Sequence, residues 1–117
     1  MTTGGISIHC VDVARGRVAT GLRVRVVRLD GTPICEGSVS AKGVMEHPAL
    51  MSDAITAGGY EVVFEVGAFY RALGTDIPEP AFLEAVPYRF HIADAAQHYH
   101  LPFKFTPWGF SLFRGGA

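Results

Sequence analysis

Apolar and polar residues alternate along most of this chain, and this period of two limits the folds open to it. In residues 6–11, the side chains of Ile6, Ile8 and Cys10 fall on one side of an extended backbone and the intervening ones on the other. Three further segments alternate in the same way: residues 22–26, 60–66 and 88–92. Because successive side chains of a β-strand point to opposite faces, each segment predicts a strand with one face in the core.

Turns and a single short helix complete the pattern. Asp30-Gly31 predicts a tight turn that returns residues 32–37 as the next strand, and Ala41-Lys42-Gly43 predicts another. Residues 68–73 form a helix candidate that ends at Gly74, a residue suited to a helix carboxy terminus.

The region after this helix predicts irregular structure. Residues 76–87 carry three prolines and predict a loop, and residues 93–98 predict a single turn of helix. About seven or eight short strands with one brief helix predict an all-β fold, a two-sheet β-sandwich.

The length and charge of the chain exclude several classes of function. Its 117 residues predict one domain over residues 1–117. Ten basic and eleven acidic side chains give a net charge of −1 without a block of like charge, so neither nucleic acid nor a membrane surface is predicted as a partner. The amino terminus lacks the features of a secretory signal, and no segment has the roughly 20 apolar residues that span a bilayer. A cytoplasmic location is therefore predicted.

The two cysteines, Cys10 and Cys35, are predicted to be small buried thiols. Their number is compatible with one disulfide, but a chain without a leader favours the reduced form. Neither is predicted to act as a nucleophile.

Three histidines are the strongest candidates for chemistry. In residues 98–105, alternation turns an apolar row toward the core and places His98 and His100 on the other face, with Cα atoms about 7 Å apart. His9 points away from the core in the same way. Imidazoles exchange protons near neutral pH, so the three side chains predict a proton-transfer site if their strands share a sheet. The simpler interpretation is that each one is a solvated surface residue.

Three imidazoles and a water molecule also form a recognised zinc arrangement. No carboxylate in the sequence has an evident supporting relation to these histidines, so we predict neither a metal nor another cofactor. Elemental analysis of protein purified without chelator tests this prediction.

Longer motifs extend this interpretation over nearly the whole chain. The carboxy-terminal region contains a His-Tyr-His-Leu-Pro run and an aromatic-rich segment that closes on Arg-Gly. The sequence resembles the 5-hydroxyisourate hydrolases, the enzyme branch of the transthyretin-related proteins. The resemblance is carried by residues 6–9, 12–17, 59–64, 67–70, 98–102 and 107–116.

The resemblance implies a fold, an assembly and a reaction. Transthyretin-like folds place eight strands in two sheets with one short helix after the fifth strand. The implied assembly is a homotetramer, a dimer of dimers with its sites in the channel between the dimers. In the implied reaction, water attacks a carbonyl carbon of the 5-hydroxyisourate ring and the lactam opens, which is a step of urate breakdown.

The resemblance also assigns roles to particular residues. His9 and His100 match the family's catalytic histidines, and His98 is a supporting neighbour; we predict His100 as the base and His9 as its partner or acid. The family's arginine, in an Asp-Gly-Arg turn, aligns with Val44, and its terminal serine aligns with Gly116. A guanidinium suits a planar, carbonyl-rich ring because its fork matches two acceptors. Losing one such contact commonly costs about 10²–10³ in rate.

Other polar side chains are candidates for substrate contacts. His47 lies three residues after Val44 and Lys42 two before it, so either is predicted to reach the space of the missing arginine. Arg114 is a further cation that matches the family's terminal Arg-Gly. The simpler interpretation is that His47 and Lys42 are ordinary loop residues and that Arg114 anchors the last strand.

The aromatic carboxy-terminal segment predicts a changed pocket. Trp108 and Ser111 are assigned to substrate binding, and Phe113 stands where family members carry tyrosine. The lost hydroxyl and the bulky ring of Trp108 predict a pocket shaped for a less polar ring.

The sequence thus predicts a 5-hydroxyisourate hydrolase-like enzyme that opens a small cyclic amide-containing heterocycle with proton transfer by histidines. Two alternatives stay open. One is a diverged enzyme of the same fold with a more apolar substrate, and the other is a non-catalytic small-molecule carrier, as transthyretin is. The clustered histidines favour an enzyme, whereas the absent arginine and serine favour a carrier.

Overall fold

The computed structural model describes residues 4–116 and arranges them as two β-sheets around one hydrophobic core. The strands are β1 (Ile6–Asp12), β2 (Arg17–Val18), β3 (Arg23–Arg28), β4 (Pro33–Ser38), β5 (Val44–Met45), β6 (Gly58–Phe64), β7 (Val86–Ile92), β8 (Tyr99–Phe105) and β9 (Phe110–Leu112). One α-helix, α1 (Val66–Ala72), and a 3₁₀ turn, Pro48–Met51, complete the elements of this part of the chain. Within residues 4–116, no helix has the length and apolar character that crossing a membrane requires.

The two sheets differ in how their strands pair. The five-stranded sheet has the order β2-β1-β8-β9, and β5 also pairs with β1. Its central pair, β1 and β8, is parallel, with Ile6 opposite Tyr99 and Asp12 opposite Phe105. The four-stranded sheet has the order β4-β3-β6-β7 and is antiparallel throughout.

The core lies between the sheets and follows the predicted alternation. The inward residues of β1 and β8 are buried, and the ring of Phe103 on β8 stacks on Phe64 of β6 with centroids 3.8 Å apart. Burying such aromatic rings contributes most of the apolar area that holds two sheets together. The predicted all-β sandwich with one short helix is confirmed. The helix follows β6, the sixth strand in chain order, rather than the fifth strand that the resemblance implies.

Two element boundaries and one predicted helical turn differ from the prediction. The strand predicted to reach residue 66 ends at Phe64, and Val66 begins α1, two residues before the predicted helix start. A buried Val66 satisfies the apolar pattern of either element, so alternation could not place this boundary. The loop predicted through Pro87 ends earlier, because Pro87 belongs to the edge strand β7, where a missing N–H is tolerated. Residues 93–98 form a hydrogen-bonded turn between Asp94 and Gln97 and no helix.

The cysteines are both free thiols in different sheets. Cys10 is buried in β1, and burial raises the pKa of its thiol to about 12. Cys35 is only half-buried because it lies on the edge strand β4, so the prediction of a buried thiol was wrong for this residue. Burial raises the pKa of its thiol as well. A raised pKa leaves both groups as poorly nucleophilic thiols at neutral pH.

A buried carboxylate ties α1 to the end of β1. Asp12 is 0% exposed and accepts hydrogen bonds from Tyr70 Oη at 2.7 Å and Arg15 Nε at 2.5 Å. The main-chain N–H of Arg15 donates to the same carboxylate at 3.3 Å. Burial and the bond to Asp12 raise the pKa of Tyr70. Both carboxylate oxygens of Asp12 thus have partners within the protein, as buried polar groups require.

Candidate active site

The predicted histidines gather on the outward face of the five-stranded sheet. His98 and His100 lie at the start of β8, and His9 lies on the adjoining strand β1. All three are half-buried, because the inward face of each strand packs in the core while this face stays open. The predicted orientation of these side chains is therefore confirmed, and the parallel pairing of β1 with β8 brings them together.

A serine that sequence reasoning did not select joins the cluster. Ser7 lies directly opposite His100 in the β1–β8 register. Its Oγ lies 2.8 Å from Nε2 of His98 and 2.6 Å from Nδ1 of His100. The other ring nitrogen of His98, Nδ1, lies 2.7 Å from the main-chain oxygen of Gly4. The only sequence signal for Ser7 is its place on the same face of β1 as His9.

His9 occupies a recess formed by the turn before β5. It lies opposite Val44 on one side and Pro102 on the other. A Cβ added to Gly43 would lie 2.9 Å from Nε2 of His9, and Gly43 has φ +84°. Only glycine both adopts this conformation readily and leaves room for the ring. The Ala41-Lys42-Gly43 turn therefore shapes the space that His9 fills.

The environment of His100 favours its neutral form. Partial burial lowers the pKa of this imidazole, and the positive charges that His9 and His98 would carry lower it further. A neutral imidazole retains a nitrogen lone pair that can accept a proton. His100 is therefore suited to act as a base at neutral pH.

Val44 and Gly116, the positions that the resemblance aligns with the family's arginine and serine, both border this cluster. Val44 is half-buried and paired with His9 across β1 and β5. A Cβ added to Gly116 would lie 3.7 Å from Cβ of His100, and Gly116 has φ +55°. Neither residue brings a charge or a hydroxyl to the site.

A cavity of about 380 Å³ opens beside Ser7. Ser7, Val44 and His47 line it together with mostly apolar neighbours, Ile6, Ile8, Met45, Pro48, Leu50 and Met51, and with Glu46. Nδ1 of His47 accepts a hydrogen bond from the N–H of Ala49 at 3.1 Å and so caps the 3₁₀ turn. Its Nε2 stays available for a ligand. Lys42 is exposed in the preceding turn, outside this lining.

The remaining predicted contacts lie elsewhere in the chain. Arg114 donates to the main-chain oxygen of His98 at 3.2 Å and to Oε1 of Gln97 at 3.0 Å. Its guanidinium carbon lies 4.0 Å from the centroid of the Tyr99 ring. These contacts anchor the carboxy-terminal segment against the start of β8. Arg114 thus contacts the cluster only through the main chain of His98.

Trp108 and Ser111 lie toward the opposite end of β8. Ser111 of β9 lies opposite Lys104 of β8. The centroid of the exposed Trp108 ring lies 6.1 Å from that of the Phe82 ring. A single chain therefore does not bring these two residues to the histidines. Within residues 4–116, no group of three His, Cys, Asp or Glu side chains is arranged to hold a metal ion.

The two-sheet sandwich, with a histidine and serine cluster on one open face, defines a protein that is transthyretin-like in fold. The profile of the HIUase/Transthyretin family matches residues 6–115. The chain belongs to this family.

Relatives of similar length support the assignment. The chain is 40% identical to 5-hydroxyisourate hydrolase 2 of Rhizobium meliloti over 97% of each chain. It is 41% identical to a 5-hydroxyisourate hydrolase of Mesorhizobium japonicum, over 96% of this chain and 92% of that one.

Solved structures agree in fold. The structure of Klebsiella pneumoniae 5-hydroxyisourate hydrolase is 29% identical, with a TM-score of 0.81 over 97% of this chain and 99% of that one. An (S)-allantoin synthase structure is 31% identical, with a TM-score of 0.89 over 99% of this chain. The match covers 46% of the allantoin synthase chain, so this protein spans about half of its length.

Proposed function

We propose that this protein is a hydrolase that opens the ring of 5-hydroxyisourate or a closely similar cyclic amide. The observation that carries the proposal is the placement of His100, whose pKa favours the neutral base, and His9 on the same open face of two paired strands. The names of relatives about 40% identical over nearly the full chain supply the substrate class.

The chemistry needs one water molecule and two proton transfers. Neutral His100 takes a proton from water as the oxygen bonds to the ring carbonyl carbon. The carbon–nitrogen bond of the lactam then breaks, and the protonated imidazole returns the proton to the departing nitrogen. His9 is placed to hydrogen-bond the developing oxyanion or to assist the second transfer. The products are a carboxyl group and a free N–H, so the atoms of one water are fully accounted for.

A more apolar substrate is the second candidate. Val44 stands beside His9 where the family pattern has arginine, and apolar side chains form most of the adjoining cavity. Such a site holds a ring mainly by contact area, with Ser7, Glu46 and His47 as the polar residues of the cavity wall. This observation favours a diverged hydrolase over a carrier, because the histidine cluster remains intact.

We further propose a homotetramer with these clusters in the channel between dimers. Exposed aromatic side chains at and beside the edge strand β9 support burial against another chain: Trp108, Phe110 and Phe113. Light scattering should give a mass near four times the 12.6 kDa of one chain. A particle of 12.6 kDa would contradict the assembly.

Turnover of freshly generated 5-hydroxyisourate, followed by stopped-flow absorbance, tests the function. We expect the protein to accelerate decay of the substrate and His9→Ala to lower kcat/KM by about 10²-fold, the usual contribution of a positioned acid or base. His91→Ala is the matched control, because His91 is exposed on the other sheet. Decay no faster than in buffer would reject this substrate, and turnover indifferent to His9→Ala would reject the mechanism.

A further inference from the structure

The hydroxyl of Ser7 joins two histidines of the cluster into one hydrogen-bonded chain. The chain begins at the main-chain oxygen of Gly4, passes through both ring nitrogens of His98 and the Oγ of Ser7, and ends at Nδ1 of His100. Its three links measure 2.7, 2.8 and 2.6 Å. All three are within the range of good hydrogen bonds.

The chemistry of the groups sets the direction of every link. A carbonyl oxygen only accepts, so Nδ1 of His98 carries the hydrogen that is donated to Gly4. In a neutral imidazole the other nitrogen then accepts, so the Ser7 hydroxyl donates to Nε2 of His98. The single hydroxyl hydrogen is now used, and Oγ is left to accept from His100. Nδ1 of His100 therefore carries a hydrogen, and Nε2 carries the lone pair.

We propose that Ser7 and His98 are positioning residues that hold His100 as the Nδ1–H tautomer and so present its Nε2 as the base. For its catalytic consequence this inference rests on the proposed function. The tautomer itself is a property of the protein without substrate.

The two ends of the chain are held by the fold. Gly4 is buried, its N–H donates to the oxygen of Ala96 at 3.1 Å, and a Cβ at Gly4 would lie 2.7 Å from the oxygen of Ala95. The acceptor for His98 is therefore fixed in place. At the other end, the parallel register sets Ser7 opposite His100, and Gly115 donates to the main-chain oxygen of His100 at 2.9 Å.

The charged and titratable groups around His100 come from three elements. His9 lies near it on β1, His98 lies in the turn just before β8, and Arg114 of the carboxy-terminal segment binds the main-chain oxygen of His98. Partial burial of the ring and a positive charge on His9 both disfavour a second proton on His100, so the lone pair on Nε2 stays free.

The tautomer determines which nitrogen takes the proton from water. As the water O–H bond breaks, the proton goes to Nε2 and His100 becomes an imidazolium. Its Nδ1–H bond to Ser7 remains and gains strength, because hydrogen bonds from charged donors are stronger. Nε2 then returns the proton to the departing nitrogen of the ring. The Ser7 contact thus serves in both transfers without itself losing or gaining a proton.

Nitrogen-15 NMR of histidine-labelled protein, with His100 assigned from the His100→Gln spectrum, reads the tautomer directly. We expect wild-type His100 near pH 8 to be protonated at Nδ1 and bare at Nε2. Ser7→Ala should populate the Nε2–H form, because the acceptor for Nδ1–H is gone. Ser7→Thr keeps a hydroxyl in a half-buried strand position and should preserve the wild-type tautomer.

Kinetics of the same variants give a second readout. We expect Ser7→Ala to lower kcat about 10–100-fold, as losing a partner that orients a functional histidine commonly does. KM should change by less than about twofold and Ser7→Thr should restore most of kcat, because the substrate contacts are intact. A merely structural Ser7 would move neither the tautomer nor the ratio of kcat to KM in this way.

The outcomes separate this inference from the proposed function. A wild-type His100 found as the Nε2–H tautomer, or a tautomer unchanged in Ser7→Ala, would overturn the inference whatever the activity. The expected tautomer in a protein that does not accelerate 5-hydroxyisourate decay would reject the substrate and leave the positioning role standing. An unchanged kcat in Ser7→Ala, with a shifted tautomer and an active wild type, would overturn the catalytic part.

Discussion

The strand β1 carries a polar network at each end, and the two are built in opposite ways. At the carboxy-terminal end, Asp12 is fully buried and each of its bonds leads to another group of the protein, Arg15 or Tyr70. At the amino-terminal end, Ser7 and His9 lie half-buried beside His100 on an open face. The first network is closed on itself, whereas the imidazoles of the second lie on an open face of the sheet and its Ser7 lines a cavity.

This contrast separates groups that hold the fold from groups available for chemistry. A closed buried network costs free energy when one member is removed, because its partners lose their bonds where water cannot replace them. An open cluster loses less stability, since water can bond to what remains. The same strand can therefore be altered at one end to affect stability and at the other to affect rate.

The largest effect is expected at the open end. His100→Ala should lower kcat by about 10²–10⁴, the contribution of a positioned general base. Its free energy of unfolding should change by no more than about 1 kcal/mol, because the side chain is only half-buried. Stopped-flow turnover and urea unfolding measure the two quantities on one preparation. His91→Ala is the control, and a variant that loses stability rather than rate would erase the contrast between the two ends.

At the closed end, Asp12→Ala should reverse this pattern. Removing the carboxylate leaves the Tyr70 hydroxyl without its acceptor and frees Arg15, which is 35% exposed and can bond to water. We expect a loss of about 3 kcal/mol in the free energy of unfolding, the lower end for breaking a buried ion pair. Calorimetry should show Tm falling by about 10 °C, with kcat of the folded fraction unchanged.

The matched control for this change is Asp53→Ala, which removes an exposed carboxylate. It should alter the free energy of unfolding by less than about 0.5 kcal/mol. Equal losses in the free energy of unfolding of the two variants would mean that burial of Asp12 adds nothing to its contribution to stability.

A gain of function is expected next to His9. Val44→Arg adds a guanidinium opposite His9, at the wall of the cavity. If 5-hydroxyisourate is the substrate, kcat/KM should rise at least about tenfold, because a planar fork matches two carbonyl acceptors. Val13→Arg, at an exposed position just beyond the other end of β1, is the control and should leave kcat/KM unchanged. A fall in kcat/KM would instead favour the more apolar substrate.

The faces of the strands were predictable from residues alone, and with them the orientation of the histidines. Alternation places His9 and His100 opposite the buried rows of β1 and β8 because strand geometry repeats every two residues. The resemblance added Val44 and Gly116, and both positions border the cluster. Neither the alternation of residues nor the family resemblance requires knowledge of which distant segments pair.

What could not be predicted depends on pairing between distant segments. Ser7 and His100 are 93 residues apart, and only the parallel register of β1 and β8 sets them opposite each other. A lone serine on an outward strand face carries no signal of its own. A local sequence pattern also cannot predict the β-bridge between Gly115 and His100. Nor can it predict that Trp108 lies at the far end of β8 from the histidines.

The smallest expected effect is the pH dependence that His100 brings to the open end. Because burial lowers the pKa of this imidazole in the folded state, kcat/KM should stay high as pH falls through 6.5, the ordinary value, and decline only below it. His9→Gln removes a side chain whose positive charge lowers the pKa of His100. The pKa of His100 should therefore rise toward the ordinary value in this variant, which NMR titration of its ring measures. A rise in the His100 pKa that is smaller than the error of the titration would mean that burial alone lowers this pKa.

The same shift sets a direction for stability. Well above pH 6.5 the imidazole is neutral in both folded and unfolded chains and contributes no pH dependence to stability. As pH falls below that value, the unfolded chain takes up the proton first, so the folded state loses stability until its own lower pKa is reached. Urea unfolding of wild type minus His100→Gln, measured at pH 8 and at pH 5, isolates this contribution. A difference that grows in favour of wild type at pH 5 would mean that the fold stabilises charged His100, which is incompatible with a base held neutral at the open end of β1.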